Sequence, residues 1–91
     1  MAAAFMRLLV VEDEPDLLAA LARSLRDEGY AVDTAEDGEE ALYKAESWAY
    51  DAVILDVMLP KLDGFAVLKR LRKTKKTPVL MLTARDATAD R

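Results

Sequence analysis

Apolar positions fall into two kinds of pattern that take turns along the chain. Leu8, Leu9, Val10 and Val11 form an unbroken run that ends in Glu12 and Asp13; Val53, Ile54 and Leu55 form a second that ends in Asp56; Val79 to Leu82 form another that ends in Thr83. Runs of this length predict strands buried on both faces, as in the middle of a parallel sheet. Tyr30 to Ala35 alternates loosely and predicts one more strand, with Val32 facing a core.

Between these runs the period lengthens. Pro15 suits a first helical position, where its missing N–H costs nothing, and Leu17, Leu18, Leu21 and Leu25 follow at helical spacing as one apolar stripe up to Gly29, a left-handed cap. Asp37 and Gly38 predict a turn, and Glu39 and Glu40 place negative charge in the first turn of a second helix whose inner face is Ala41, Leu42 and Ala45. Met58, Leu59 and Pro60 lead into a loop. Asp63 and Gly64 start a third helix with Phe65, Val67, Leu68 and Leu71 as its apolar contacts. The order is βαβαβαβ, which predicts an α/β fold with a parallel sheet and right-handed crossovers.

Length and composition narrow the function. Ninety-one residues allow one domain, and 53% hydrophobic with 33% charged residues is a globular balance. Seventeen acids against thirteen bases give a net charge of -4, which argues against nucleic acid as the partner of this segment. The cations Lys69, Arg70, Arg72, Lys73, Lys75 and Lys76 crowd the end of the third helix, where they complement its C-terminus as a solvated face. With no cysteine there is no disulfide framework or thiolate metal site, and with no histidine any phosphohistidine donor must act in trans. No run approaches the roughly 18 apolar residues that cross a bilayer, and Met1 to Met6 lacks the pattern of a signal peptide, so the expected setting is the cytoplasm. The strand pattern begins abruptly at Arg7, which suggests Met6 as the native start and residues 1–5 as an upstream extension.

The chemistry lies at the strand ends. In an open parallel sheet the ligand site lies beyond the carboxyl ends of the strands, so Glu12, Asp13 and Asp56 would form one negative pocket. Three carboxylates repel one another unless a hard cation lies between them, and Mg²⁺ takes such oxygen ligands together with phosphate oxygens and water. Under such an ion a carboxylate can attack phosphorus and become an aspartyl phosphate. Asp56, alone at the end of a central strand, is the candidate nucleophile, with Glu12 and Asp13 as metal ligands. The alternative is that Glu12, Asp13 and Glu14 serve only as helix caps, and that Thr83 is a strand-end hydroxyl.

The segments LLVVEDE at 8–14, ILDVMLPKLDG at 54–64 and TPVLMLTARD at 77–86 together resemble the receiver domains of two-component response regulators, in that family's order. The third segment is most similar to the subfamily in which a winged-helix DNA-binding domain follows the receiver. The resemblance implies a flavodoxin-like open sheet of order 2-1-3-4 and Asp56 as phosphoacceptor for a sensor histidine kinase. It implies Asp13 as direct Mg²⁺ ligand, Glu12 acting through water, the Met58 backbone carbonyl completing the protein ligands, Thr83 as switch hydroxyl, and Ala84 as the small neighbour that leaves the phosphoryl group room. Such a domain catalyses only its own phosphorylation and dephosphorylation. It also implies a continuation through a fourth helix, a fifth strand bearing a lysine and a fifth helix, none of which this sequence holds. Two expectations follow: impaired phosphotransfer, and self-association through the open edge at Val79 to Leu82. The rival reading is a self-associating fragment silent in phosphotransfer, and a turnover phosphatase is a third.

Overall fold

The computed structural model describes residues 6–82. Four parallel strands, β1 (Arg7–Val11), β2 (Ala31–Ala35), β3 (Ala52–Asp56) and β4 (Val79–Leu82), form one sheet of order β2-β1-β3-β4. Three helices connect them: α1 (Pro15–Asp27), α2 (Gly38–Ser47) and α3 (Gly64–Leu71). The expected order and topology are therefore observed.

The two faces of β1 explain its unbroken apolar run. Leu9 and Val11 point to one side and join Ala35, Ala41, Ala45, Tyr50, Val53, Leu55, Val67 and Leu71 in the larger core beneath α2 and α3. Val10 points to the other side and packs with Leu18, Ala22 and Val32 beneath α1. Each fully buried Val or Leu contributes about 1.5–3 kcal/mol relative to exposure, so a polar residue anywhere from Leu8 to Val11 would be costly.

Three expectations need correction. Leu17 is 46% exposed, because the stripe that meets the sheet is Leu18, Leu21, Ala22 and Leu25, spaced i, i+3, i+4 and i+7. Phe65 is 61% exposed for the same reason: α3 buries Gly64, Val67 and Leu71, and position 65 faces away. β4 is half-buried rather than buried, with Leu80 58% exposed. Leu80 is in register with Ile54, on the face where α1 covers β1 and β2.

The two edges of the sheet differ. In β2 the alternate residues bond to β1, through contacts such as Ala31 N to Met6 O and Glu12 N to Ala35 O, and the carbonyls of Val32 and Thr34 point outward. Arg26 Nη2 donates to Val32 O at 2.7 Å and Lys44 Nζ donates to Thr34 O at 2.6 Å, so both are taken. In β4, Pro78 O and Leu82 O accept from Val53 and Val57, which turns the backbone of Val79 and Met81 outward. Among the described residues no strand lies beyond them.

Candidate phosphoacceptor and metal site

The site is built by register. Val11 pairs with Leu55 across β1 and β3, so the residues that follow, Glu12 and Asp56, emerge side by side at the carboxyl end of the sheet. Glu12 N–H still donates to Ala35 O at 3.1 Å, which extends the ladder by one bond and fixes where the acids leave the sheet. Glu12 and Asp56 are both only 4% exposed, whereas Asp13 is half-buried. One carboxylate oxygen from each of the three lies within 4.8 Å of those of the others. The sequence therefore placed all three acids in one cluster correctly.

Capping accounts for less of this acidic segment than the alternative reading required. Glu14 is the N-cap of α1, accepting from Leu17 N at 3.0 Å. Glu12 accepts from Glu14 N at 3.0 Å, which aligns its carboxylate without making it the cap. Burial raises the Glu12 pKa above the usual 4.5, and the neighbouring Asp56 adds to the rise, while the bond from Glu14 N–H opposes both. Asp56 Oδ1 accepts from Met58 N at 3.0 Å, which ties the nucleophile candidate to the first residues of the following loop.

That loop borders a cleft of about 520 Å³ lined by Asp13, Val57, Met58, Leu59, Pro60, Asp63 and Phe65. Asp13 belongs to both the cleft and the acid cluster, so the acids open onto a partly apolar lip with Met58 49% exposed. Asp63 acts as expected, capping α3 by accepting from Ala66 N at 2.9 Å. Thr83 and Ala84 lie outside the described residues. The basic run at the end of α3 is mostly exposed, but Lys75 Nζ donates to Ala45 O at 3.0 Å and Trp48 O at 2.8 Å, carbonyls at the C-terminal end of α2. No periodicity signals a contact of that kind.

The sequence pattern of the response regulator receiver domain matches residues 8–91. The chain belongs to that family. The receiver is 58% identical over 87 residues to the transcriptional regulatory protein TcrA of Mycobacterium tuberculosis (strain ATCC 25618 / H37Rv), covering 94% of this chain and 34% of that protein. It spans about a third of the length of the curated relatives it matches. The receiver superposes with a TM-score of 0.86 on the receiver domain of sensor histidine kinase PA1611 from Pseudomonas aeruginosa PAO1, solved with a magnesium ion in its active-site cleft. Identity there is 35%, over 97% of this chain and 75% of that one. It superposes at 0.82 on a chain of the complex between histidine kinase ThkA and response regulator TrrA, at 44% identity over 96% of this chain and 76% of the other.

The donor set of this receiver suits a hard divalent cation. It offers three carboxylates, and their mutual repulsion at this spacing makes the cluster hungry for positive charge. No helix among the described residues is long and apolar enough to cross a membrane.

Proposed function

We propose that this receiver accepts a phosphoryl group on Asp56 from a phosphohistidine on a sensor histidine kinase, with Mg²⁺ as cofactor. The observation that carries the reading is the buried Asp56 carboxylate held within 4.8 Å of Glu12 and Asp13 at the end of a central strand. An Asp56 carboxylate oxygen attacks phosphorus, the bond to the donor imidazole nitrogen breaks with its electron pair, and the carboxylate becomes an acyl phosphate. Glu12 and Asp13, Asp56 itself and the Met58 carbonyl would hold the metal, which supplies neutralising charge to the phosphoryl oxygens. Met58 N–H orients the nucleophile through its bond to Oδ1. The reaction is self-catalysed, with no turnover of a separate substrate.

Thr83 is the proposed switch hydroxyl. Phosphorylation at Asp56 would bias the segment after β4 between two arrangements, and a DNA-binding effector domain in the full-length regulator would read the change. The similarity to transcriptional regulators supports this transcriptional role, and a cytoplasmic setting belongs to it. Incubation with Mg²⁺ and a small acyl phosphate, followed by intact mass, tests the core of the reading. Wild type gains one phosphoryl group and Asp56→Asn gains none; labelling of the variant at wild-type level would refute the assignment.

The outward backbone of Val79 and Met81 supports a second property of the 91-residue chain, association through β4. Sedimentation across a concentration series would show a growing dimer population, and a monomer at every concentration would exclude it.

A further inference from the structure

The loop that carries Met58 is closed against α2 at a point where only a glycine fits. Gly38, the first residue of α2, donates its N–H to Pro60 O at 3.2 Å. A Cβ at Gly38 would overlap the Leu62 carbonyl oxygen and lie 2.5 Å from its carbonyl carbon. Both obstacles are backbone, so no side-chain rotation relieves them. Pro60 O also accepts from Leu62 N at 2.7 Å, and Lys61 at the crown has φ 70°, which makes residues 60–62 one tight turn. Lys61 Nζ lies 3.7 Å from Asp37 Oδ2 on the α2 side. At the other end of the loop Gly64 N donates to Val57 O at 2.8 Å, and a Cβ at Gly64 would lie 2.5 Å from Asp56 O.

We infer that Gly38 is a positioning residue of the metal site: the close approach of its backbone to residues 60–62 holds the β3–α3 loop, and with it Met58, against the acid cluster. This rests on the reading above, in which the Met58 carbonyl serves as a Mg²⁺ ligand. A side chain at position 38 must push Leu62 or the first turn of α2 away. The loop is only five residues from Met58 to Leu62 and is pinned at Gly64, so the displacement reaches Met58. Groups that orient a ligand without touching the metal typically change affinity by about 10–100-fold when lost. Linkage makes the effect reciprocal, so an occupied site must also steady the contact between Gly38 and Pro60.

Two measurements on the 91-residue chain test this. Calorimetric titration with Mg²⁺ compares wild type, Gly38→Ala and Leu18→Ala, the last loosening the core under α1 on the opposite face of the sheet. Amide hydrogen exchange follows the Gly38 N–H in wild type with and without saturating Mg²⁺. The expected result is affinity at least about tenfold lower in Gly38→Ala, unchanged affinity in Leu18→Ala, and slower exchange at Gly38 when Mg²⁺ is bound. Wild-type affinity in a folded Gly38→Ala would overturn the inference, as would an equal loss in Leu18→Ala. If Gly38→Ala does not fold, the exchange measurement decides alone, and a Gly38 amide indifferent to Mg²⁺ overturns it. A wild type that binds no Mg²⁺ would instead remove the metal-site reading, and this inference with it.

Discussion

Asp56→Asn is predicted to raise the stability of the metal-free protein while abolishing its proposed chemistry. Two unit charges 4.8 Å apart, the outer limit for this cluster, repel by about 3.5 kcal/mol at an effective dielectric constant of about 20. Asp56 takes part in two such pairs. Solvent around half-buried Asp13 screens one of them, and relaxation of the site on losing a charge reduces both. A net gain of about 1–2 kcal/mol is what survives these reductions. The side-chain oxygen of Asn can still accept from Met58 N–H, so that backbone donor keeps a partner, through a weaker uncharged bond. With a urea m-value of about 1 kcal/mol/M for a domain of this size, the midpoint should rise by about 1–2 M in EDTA, followed by circular dichroism. Saturating Mg²⁺ should narrow or invert the difference, because only the wild type keeps all three charges for the ion. A variant that is no more stable than wild type without metal would refute the claim that these carboxylates strain one another.

Asp13→Ala should weaken Mg²⁺ binding at least about tenfold by calorimetry while leaving metal-free stability equal or higher, since three crowded acids become two. Glu40 accepts from Glu36 N–H at 2.9 Å and pairs with Lys44 at 3.0 Å, and these partners, the backbone donor first, lower its pKa below 4.5 in the folded state. A depressed carboxylate stabilises above its unfolded pKa and loses that contribution as pH falls through the folded value. Glu40→Gln should therefore be less stable than wild type by a few tenths of a kcal/mol near neutrality, the pair being partly screened by water, with the gap closing below about pH 4. Parallel urea melts at pH 7 and pH 3 would show this; a gap that persists at pH 3 contradicts it. Tyr50, buried at 7% exposure, donates its hydroxyl to Asp33 Oδ2 at 2.6 Å, and desolvation together with that carboxylate raises its pKa well above 10. Tyr50→Phe should cost about 1–1.5 kcal/mol in a urea melt, and no loss would mean that Arg7, whose guanidinium lies 3.7 Å from Asp33, suffices as partner.

What the sequence made legible was decided by chain-local physics. Leu8 to Val11 could be recognised as a doubly buried strand because such a run has few other stable uses, and Pro15 and Gly29 bracketed α1 because helix ends need particular backbones; Gly29 indeed has φ 101°. The acid cluster followed from the carboxyl ends of a parallel sheet, and the family resemblance supplied the strand order that sets β1 beside β3. Leu17 and Phe65 were misjudged because both lie one position off a helical stripe, where period alone cannot say which of two adjacent residues meets the sheet. The closure of Gly38 on Pro60 and Leu62, and the reach of Lys75 to Ala45 and Trp48, join residues more than twenty positions apart through single backbone atoms. Such contacts leave no periodic trace.

The unequal edges of the sheet set a limit on how copies of this chain can add to one another. Growth by head-to-tail addition would require β4 of one molecule to meet β2 of the next, and β2 offers Val32 and Thr34 carbonyls already occupied by Arg26 and Lys44. Joining β4 to β4 about a twofold axis would use up both edges that no described strand covers. Association of that kind, if it occurs, would terminate at two copies, and the Arg26 and Lys44 contacts on β2 would disfavour head-to-tail growth.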